Sequence, residues 1–168
     1  TLYTVTVTSG SSCTSSATKV VYFSSCAPCV SNLLVNPSFE QGFGAPTAVQ
    51  QLLTPPPGWT GGNAELQAYN ASRPNPDGTA FGRSTAASPI MYQDIAAVVG
   101  NAYQLKFYAR SHGTGGSPTI KLQYLNASNS PIGTAATYTI TSGSWTSLQT
   151  LTLAAAPSNA AKVRVSAN

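Results

Sequence analysis

Acid is what this sequence has least of. Glu40, Glu65, Asp77 and Asp94 are its only carboxylate side chains in 168 residues, against eight lysines and arginines. A mechanism built on paired carboxylates has almost nothing to draw on. The single histidine, His112, sits in the Gly-rich stretch "SHGTGG" as a solvent-exposed turn residue, a poor member for a Ser/His/Asp arrangement. The expectation is therefore a chain that is not an enzyme by itself. Charge of either sign is scarce, at 7% of residues, while 42% are apolar, which excludes a charge-driven disordered chain. The formal net charge of +4 comes without any block of consecutive basic residues, so no nucleic-acid footprint is present. Runs of about 18 apolar residues are also missing, so no membrane-spanning helix is expected. Nor is there a signal peptide. Thr1 falls in mid-strand, and the chain reads as a piece of a longer polypeptide.

Cysteine is present in an odd number: Cys13, Cys26 and Cys29. In a Thr/Ser-rich chain this suggests one disulfide and a third thiol whose partner lies elsewhere. Cys26-Ala-Pro-Cys29 matches the CxxC spacing, but a redox CxxC needs a following helix to lower the thiol pKa. Here the apolar, strand-like Val30 to Val35 follows. Zinc would need a fourth ligand, and only His112 could join the three cysteines.

What the chain does have is Thr, Ser, Ala and Gly, punctuated by 12 prolines and 14 glycines. "TLYTVTVT", residues 1–8, alternates strictly and reads as a half-buried strand. "SGSSCTSS" reads as a turn and "TKVVYF", residues 18–23, as a second strand. Beyond Asn32 no helical period appears. Strands are expected at 33–35, 64–69, 89–95, 102–110, 119–126, 135–141, 145–153 and 161–166, with turns such as "PPPG", "RPNPDG", "HGTGGSP" and "NASNSPIG" between them. This spacing implies an all-β chain built as an antiparallel β-sandwich.

Alternation within these strands separates the faces. Tyr103, Leu105, Phe107 and Ala109 point one way as core, and Lys106, Tyr108 and Arg110 point the other. Ile120, Leu122 and Tyr124 go in, leaving Lys121 and Gln123 out. Val163 and Val165 go in, leaving Lys162 and Arg164 out. If these strands are neighbours, Lys106, Tyr108, Arg110, Lys121, Gln123 and Arg164 share one surface. Tyr can stack on a pyranose, and Arg and Gln offer planar donors, Arg bidentately to carboxylates. The bland alternative is a solvated outer face on which Tyr108 stabilises the sheet. Trp59, Tyr69, Arg73 and Arg83 form a second candidate set on loops, where recognition is often carried. Trp59 could instead cap the core.

Two resemblances give these elements a context. Residues 1–23 resemble the end of a PKD-type or related immunoglobulin-like repeat, through "YTVTVT" and the turn with "Cys-Thr". From residue 31 on, the order "NLLVNPSFE", "GW" (Gly58-Trp59), "YQDI" (92–95), "GNAYQLKFYAR" (100–110), "SGSWTSLQTLTLAAAP" (142–157) and "AKVRV" (161–165) is similar to carbohydrate-binding modules of the galactose-binding-like jelly-roll group. The resemblance implies three segments: 1–24 as the last strands of an Ig-like repeat, 25–31 as a Cys-containing linker, and 32–168 as a jelly-roll module. It implies a structural Ca2+ with Glu40 among its ligands, since calcium takes hard oxygen ligands. A surface carboxylate ending a strand is the alternative for Glu40. The family's closing strand has no counterpart after "AKVRV", so a calcium ligand and a sheet strand are expected to be missing.

The combination is similar to large secreted surface proteins and adhesins of Bacteroidetes-type bacteria. It implies an extracellular or cell-surface, non-catalytic glycan-binding or adhesive module. The alternatives are a structural stalk or filament unit completed by neighbouring subunits, and an accessory module of a polysaccharide-degrading enzyme. The expected partner is a glycan or polysaccharide, acidic in one variant, with no nucleic acid.

Overall fold

The computed structural model describes residues 3–9, 13–19, 32–41, 51–52, 55–61, 64–68, 76, 80–84, 91–111 and 117–167. They contain strands and turns and no helix, so none among them is long and apolar enough to cross a membrane. The chain divides into two compact units, Thr1–Leu33 and Leu34–Asn168.

In the first unit, β1 (Tyr3–Ser9) pairs antiparallel with β2 (Cys13–Lys19), from Tyr3 opposite Lys19 to Ser9 opposite Cys13. The second strand thus starts earlier than hydropathy suggests, because the Ser/Thr stretch after Cys13 pairs as strand rather than turn. A backbone ladder needs only N–H and C=O groups, and polar Ser and Thr supply these as well as Val does. Val20 to Phe23, Cys26 and Cys29 lie outside the described residues, as does the side chain of Cys13, so the expected disulfide does too.

The second unit is all-β and antiparallel. Its strands are β3 (Gln51–Leu52), β4 (Ala64–Ala68), β5 (Ala80–Ser84), β6 (Met91–Ala96), β7 (Tyr103–Phe107), β8 (Thr119–Leu125), β9 (Pro131–Thr139), β10 (Gln149–Leu153) and β11 (Lys162–Ala167). They form a sheet ordered β6-β11-β8-β9, a pair β10-β7 and a three-stranded sheet β3-β4-β5. The alternation at 103–107, 119–125 and 162–167 places its apolar residues inward as expected. Leu105 of β7 and Leu151 and Leu153 of β10 share a core with Leu122 and Tyr124 of β8 and Val163 and Val165 of β11. The β7–β10 pair therefore covers one face of the four-stranded sheet. Edge-to-face aromatic contacts join the two layers, Tyr103 with Tyr124 at 6.0 Å and Phe107 with Tyr138 at 5.5 Å. Val163 is fully buried at 0% exposure, at the centre of the sheet.

The ladder between β8 and β9 contains a bulge. Leu122 faces Ala136, but Tyr124 faces Ile132, so β9 carries extra residues between the two pairs. Gly133 sits there at φ +63°. The carboxamide of Gln123 fills the gap, donating to the Ile132 carbonyl at 2.7 Å.

Leu33 to Val35 is not a strand. Leu33 and Val35 are exposed, and among the described residues no strand pairs with them. Both backbone groups of Val35 bond to one side chain instead, that of Gln93 on β6. The Val35 N–H donates to Gln93 Oε1 at 2.7 Å, and Gln93 Nε2 donates to the Val35 carbonyl at 3.0 Å and the Gly58 carbonyl at 2.7 Å. Gln93 is itself buried on the inward side of β6. Gly58 has φ +84°, and a Cβ there would lie 2.7 Å from Val35 Cγ1. Only glycine meets both the dihedral and the close approach.

Asn36 continues the clasp. It is buried, with φ +49°, a left-handed conformation that Asn tolerates. Its Nδ2 reaches the Gln41 and Pro57 carbonyls at 3.2 and 3.3 Å, and its Oδ1 accepts the Gln41 N–H at 3.0 Å. Its carbonyl accepts from the Trp59 indole N–H at 3.3 Å and from the Phe39 N–H at 3.2 Å. Phe39 also has positive φ, +64°, a strained state for an aromatic residue. Its ring lies 5.1 Å from that of Trp59 and close against Gly82 of β5, where a Cβ would come within 2.7 Å of it.

Gln93→Leu keeps similar bulk but leaves the Val35 N–H and the Val35 and Gly58 carbonyls without this partner. It should lower the unfolding free energy by about 2–4 kcal/mol, read from the denaturant midpoint. A loss under about 0.5 kcal/mol would show that water satisfies these groups and that the clasp is dispensable.

Candidate functional site

The six outward residues do not share one surface. β7 pairs with β10, whereas β8 and β11 belong to the other layer. Alternation assigns a side chain to one side of its own strand and says nothing about which sheet the strand joins. The core lies between the two layers, so Lys106, Tyr108 and Arg110 point away from it on one side and Lys121, Gln123 and Arg164 on the other.

The outer face of the four-stranded sheet is bonded to itself. Asp94, Arg164 and Gln123 stand in one cross-strand row. Arg164 grips Asp94 bidentately, Nε to Oδ1 at 2.6 Å and Nη2 to Oδ2 at 2.8 Å. Its guanidinium lies over the Tyr92 ring at 4.1 Å. Lys162 stands 3.8 Å from Asp94 Oδ2 and donates to Asn129 Oδ1 at 2.7 Å. Hydrogen bonding to Arg164 holds the Asp94 carboxyl below its ordinary pKa, against a desolvation that works the other way. Arg164 is pushed up by the same bond. Gln123 is committed to the β9 bulge. On this face Lys121 is half-buried, opposite Ser166 and Thr137.

The outer face of the β7–β10 pair differs. Tyr108 is 38% exposed and Leu148 50% exposed. They lie opposite each other one step beyond the ladder pair Phe107–Gln149. Lys106 opposes Thr150 and Gln104 opposes Thr152, all four exposed. Beyond Tyr108 the chain remains tied to its partner segment, by the Ala109 N–H to Thr146 Oγ1 at 3.1 Å and the Thr146 N–H to the Ala109 carbonyl at 2.9 Å. Arg110 lies over the Trp145 ring at 5.4 Å, and Trp145 meets Phe81 of β5 edge-on at 5.7 Å. This strip has an aromatic–aliphatic pair, Tyr108 and Leu148, with Lys106 before it on β7 and Arg110 after it beyond the strand's end. Hydropathy missed Leu148, because its place beside Tyr108 depends on the β7–β10 register.

The loop set is not assembled among the described residues. Tyr69 and Arg73 lie outside them. Trp59 is half-buried within the Asn36 clasp, and Arg83 is half-buried on β5, opposite Glu65 in the ladder. Glu40 lies at the end of the clasp, where its Oε1 accepts the Ala80 N–H at 2.8 Å and ties the 36–41 loop to the start of β5. Among the described residues no three of His, Cys, Asp and Glu come together as a metal-binding group.

Two measurements follow from these contacts. Asp94 ionises at a lower pH in the fold than in the unfolded chain, so the Asp94–Arg164 contribution is complete above about pH 4 and is lost as pH falls through the depressed folded value. Asp94→Asn should lower the thermal midpoint at pH 7 and flatten its decline below pH 4. A parallel decline in variant and wild type would assign the acid sensitivity elsewhere. The two tryptophans should also separate. Trp145 Nε1 is buried without a hydrogen-bond partner, whereas Trp59 Nε1 is bonded. Trp59→Phe should therefore cost more than Trp145→Phe by about 1 kcal/mol, read by chemical denaturation. The reverse order would contradict it.

No family model and no curated protein matches the chain. Among solved structures it is similar to the enzymatically active domain of tailspike protein 4 of bacteriophage CBA120, at 15% identity and a TM-score of 0.40. The match covers 71% of this chain, which spans about 15% of the tailspike chain. A likeness this slight informs neither mechanism nor ligand.

Proposed function

We propose that the second unit is a non-catalytic glycan-binding or adhesive module of a larger secreted or cell-surface protein. In this reading residues 32–168 are a galactose-binding-like jelly roll, and the first unit is the end of an immunoglobulin-like repeat. One observation carries the functional part: the β7–β10 face presents Tyr108, Leu148 and Lys106 to solvent, while the opposite face has bonded its functional groups to one another. An exposed aromatic beside a hydrogen-bonded ladder suits the apolar face of a sugar ring, and a preformed surface binds at a lower ordering cost. Support for a non-catalytic role comes from the described carboxylates. Glu40 accepts a backbone amide and Asp94 is locked to Arg164, so neither stands ready as acid or base.

A structural-unit reading has one observation in its favour. β9 is nine residues long, carries no charged side chain and lies at the end of its sheet order. Uncharged edges recruit further strands.

Tyr108→Ala should abolish retention on a glycan array and leave the thermal midpoint within about 2 °C of wild type, since an exposed side chain contributes little to stability. Wild type that retains no glycan at high micromolar concentration would favour the structural unit. The calcium implied by the resemblance would use Glu40 as its carboxylate ligand. A chelator should then lower the midpoint, because a ligand bound only to the folded state stabilises it. An unchanged midpoint leaves Glu40 as a hydrogen-bonded tie alone.

A further inference from the structure

We infer that the polysaccharide recognised by the β7–β10 face is anionic, carrying carboxylate or sulfate groups. This rests on the glycan-binding reading and adds the class of ligand. Lys106 and Arg110 stand two residues before and two after Tyr108. Alternate residues of a strand are about 7 Å apart on one face, which places Lys106 one such step from Tyr108, while Arg110 follows just beyond the strand's end, over the Trp145 ring. Neither cation has an acidic partner among the described residues. Asp94 lies on the other layer, held by Arg164 and Lys162. A neutral sugar would need the ring and a few amides, and both cations would stay idle. A chain with so few charges nevertheless places two of its eight cations two residues to either side of Tyr108.

Arg110 is also preset. Its guanidinium lies over the Trp145 ring at 5.4 Å, a contact that narrows where the side chain can point, and guanidinium suits planar and tetrahedral oxyanions alike. Lys106, opposite Thr150, is a mobile point charge and tolerates variation in anion position. The strip thus combines one oriented and one adaptable cation on either side of the stacking ring. Trp145 reports on the site, because an anion that engages Arg110 changes the charge over the indole.

The test measures the full chain against four immobilised polymers: an uncharged glucan, a uronate polymer, a sulfated polysaccharide and single-stranded DNA. The expected result is binding to at least one anionic polysaccharide, weakened by salt, with a change in tryptophan fluorescence on titration. Lys106→Gln and Arg110→Gln should each weaken it about tenfold, with the thermal midpoint unchanged. Tyr108→Ala should abolish it. Carboxyl reduction of the uronate polymer removes binding if carboxylate is the recognised group, and undiminished binding to the sulfated polymer assigns sulfate. Salt-insensitive binding to the neutral glucan, unaffected by the two Gln variants, would overturn the anionic inference while leaving the glycan-binding reading intact. Equal binding to DNA that survives Tyr108→Ala would reduce the face to nonspecific charge and overturn the inference. Binding to none of the four would remove the inference and the glycan reading together.

Discussion

The carboxamide of Gln93 is the constraint on which the layout of the second unit depends. A buried polar side chain on the core-facing side of a strand is costly unless every group finds a partner. Here the partners are backbone groups of two segments, at Val35 and Gly58, far apart in sequence from each other and from β6. For Val35 one side chain does what strand pairing does elsewhere, while the segment after Gly58 is also joined to β6 by a backbone bridge between Thr60 and Tyr92. Once they are pinned, Asn36 can satisfy Gln41, Pro57 and Trp59, and Phe39 can hold its left-handed backbone against Trp59 and Gly82. Glu40 is then delivered to the Ala80 amide.

The same logic of saturation divides the two outer faces. Recognition needs groups that gain partners on binding. On the four-stranded sheet Asp94, Arg164, Tyr92 and Gln123 have already found theirs, and a ligand would have to compete with bidentate and bulge-filling bonds. On the β7–β10 pair the ladder satisfies the backbone and leaves Tyr108, Leu148 and Lys106 to solvent. The scarcity of acid reinforces the contrast, because no carboxylate remains to neutralise that strip among the described residues.

Legibility in the sequence followed the range of the interactions. The inward and outward residues of β7, β8 and β11 could be read from alternation, because a strand's faces are a local property. Their assignment to layers could not, since Tyr108 and Gln123 alternate alike whether or not their strands pair. Leu33 to Val35 looked like a strand because its side chains suit one. What decided otherwise was an acceptor and donor on Gln93, 58 residues away. The strand β5, with Gly82 inside it, gave no hydropathy signal, and its glycine is explained only by the Phe39 ring against it. Landmarks that mark the resemblance, Asn36, Glu40, Trp59 and Gln93, turn out to be members of the clasp or tied to it.

The position of β11 has a bearing on biosynthesis. It lies between β6 and β8, so the fully buried Val163 and the sheet's centre come from a segment made after all its neighbours. The Asp94–Arg164 pair closes a loop of 70 residues. Contacts so distant form late and slowly, and until Lys162–Ala167 has left the ribosome, β6 and β8 have no strand between them. The strand at the interior of this sheet is thus the last of its four to be synthesised, and the sheet closes only once β11 has emerged.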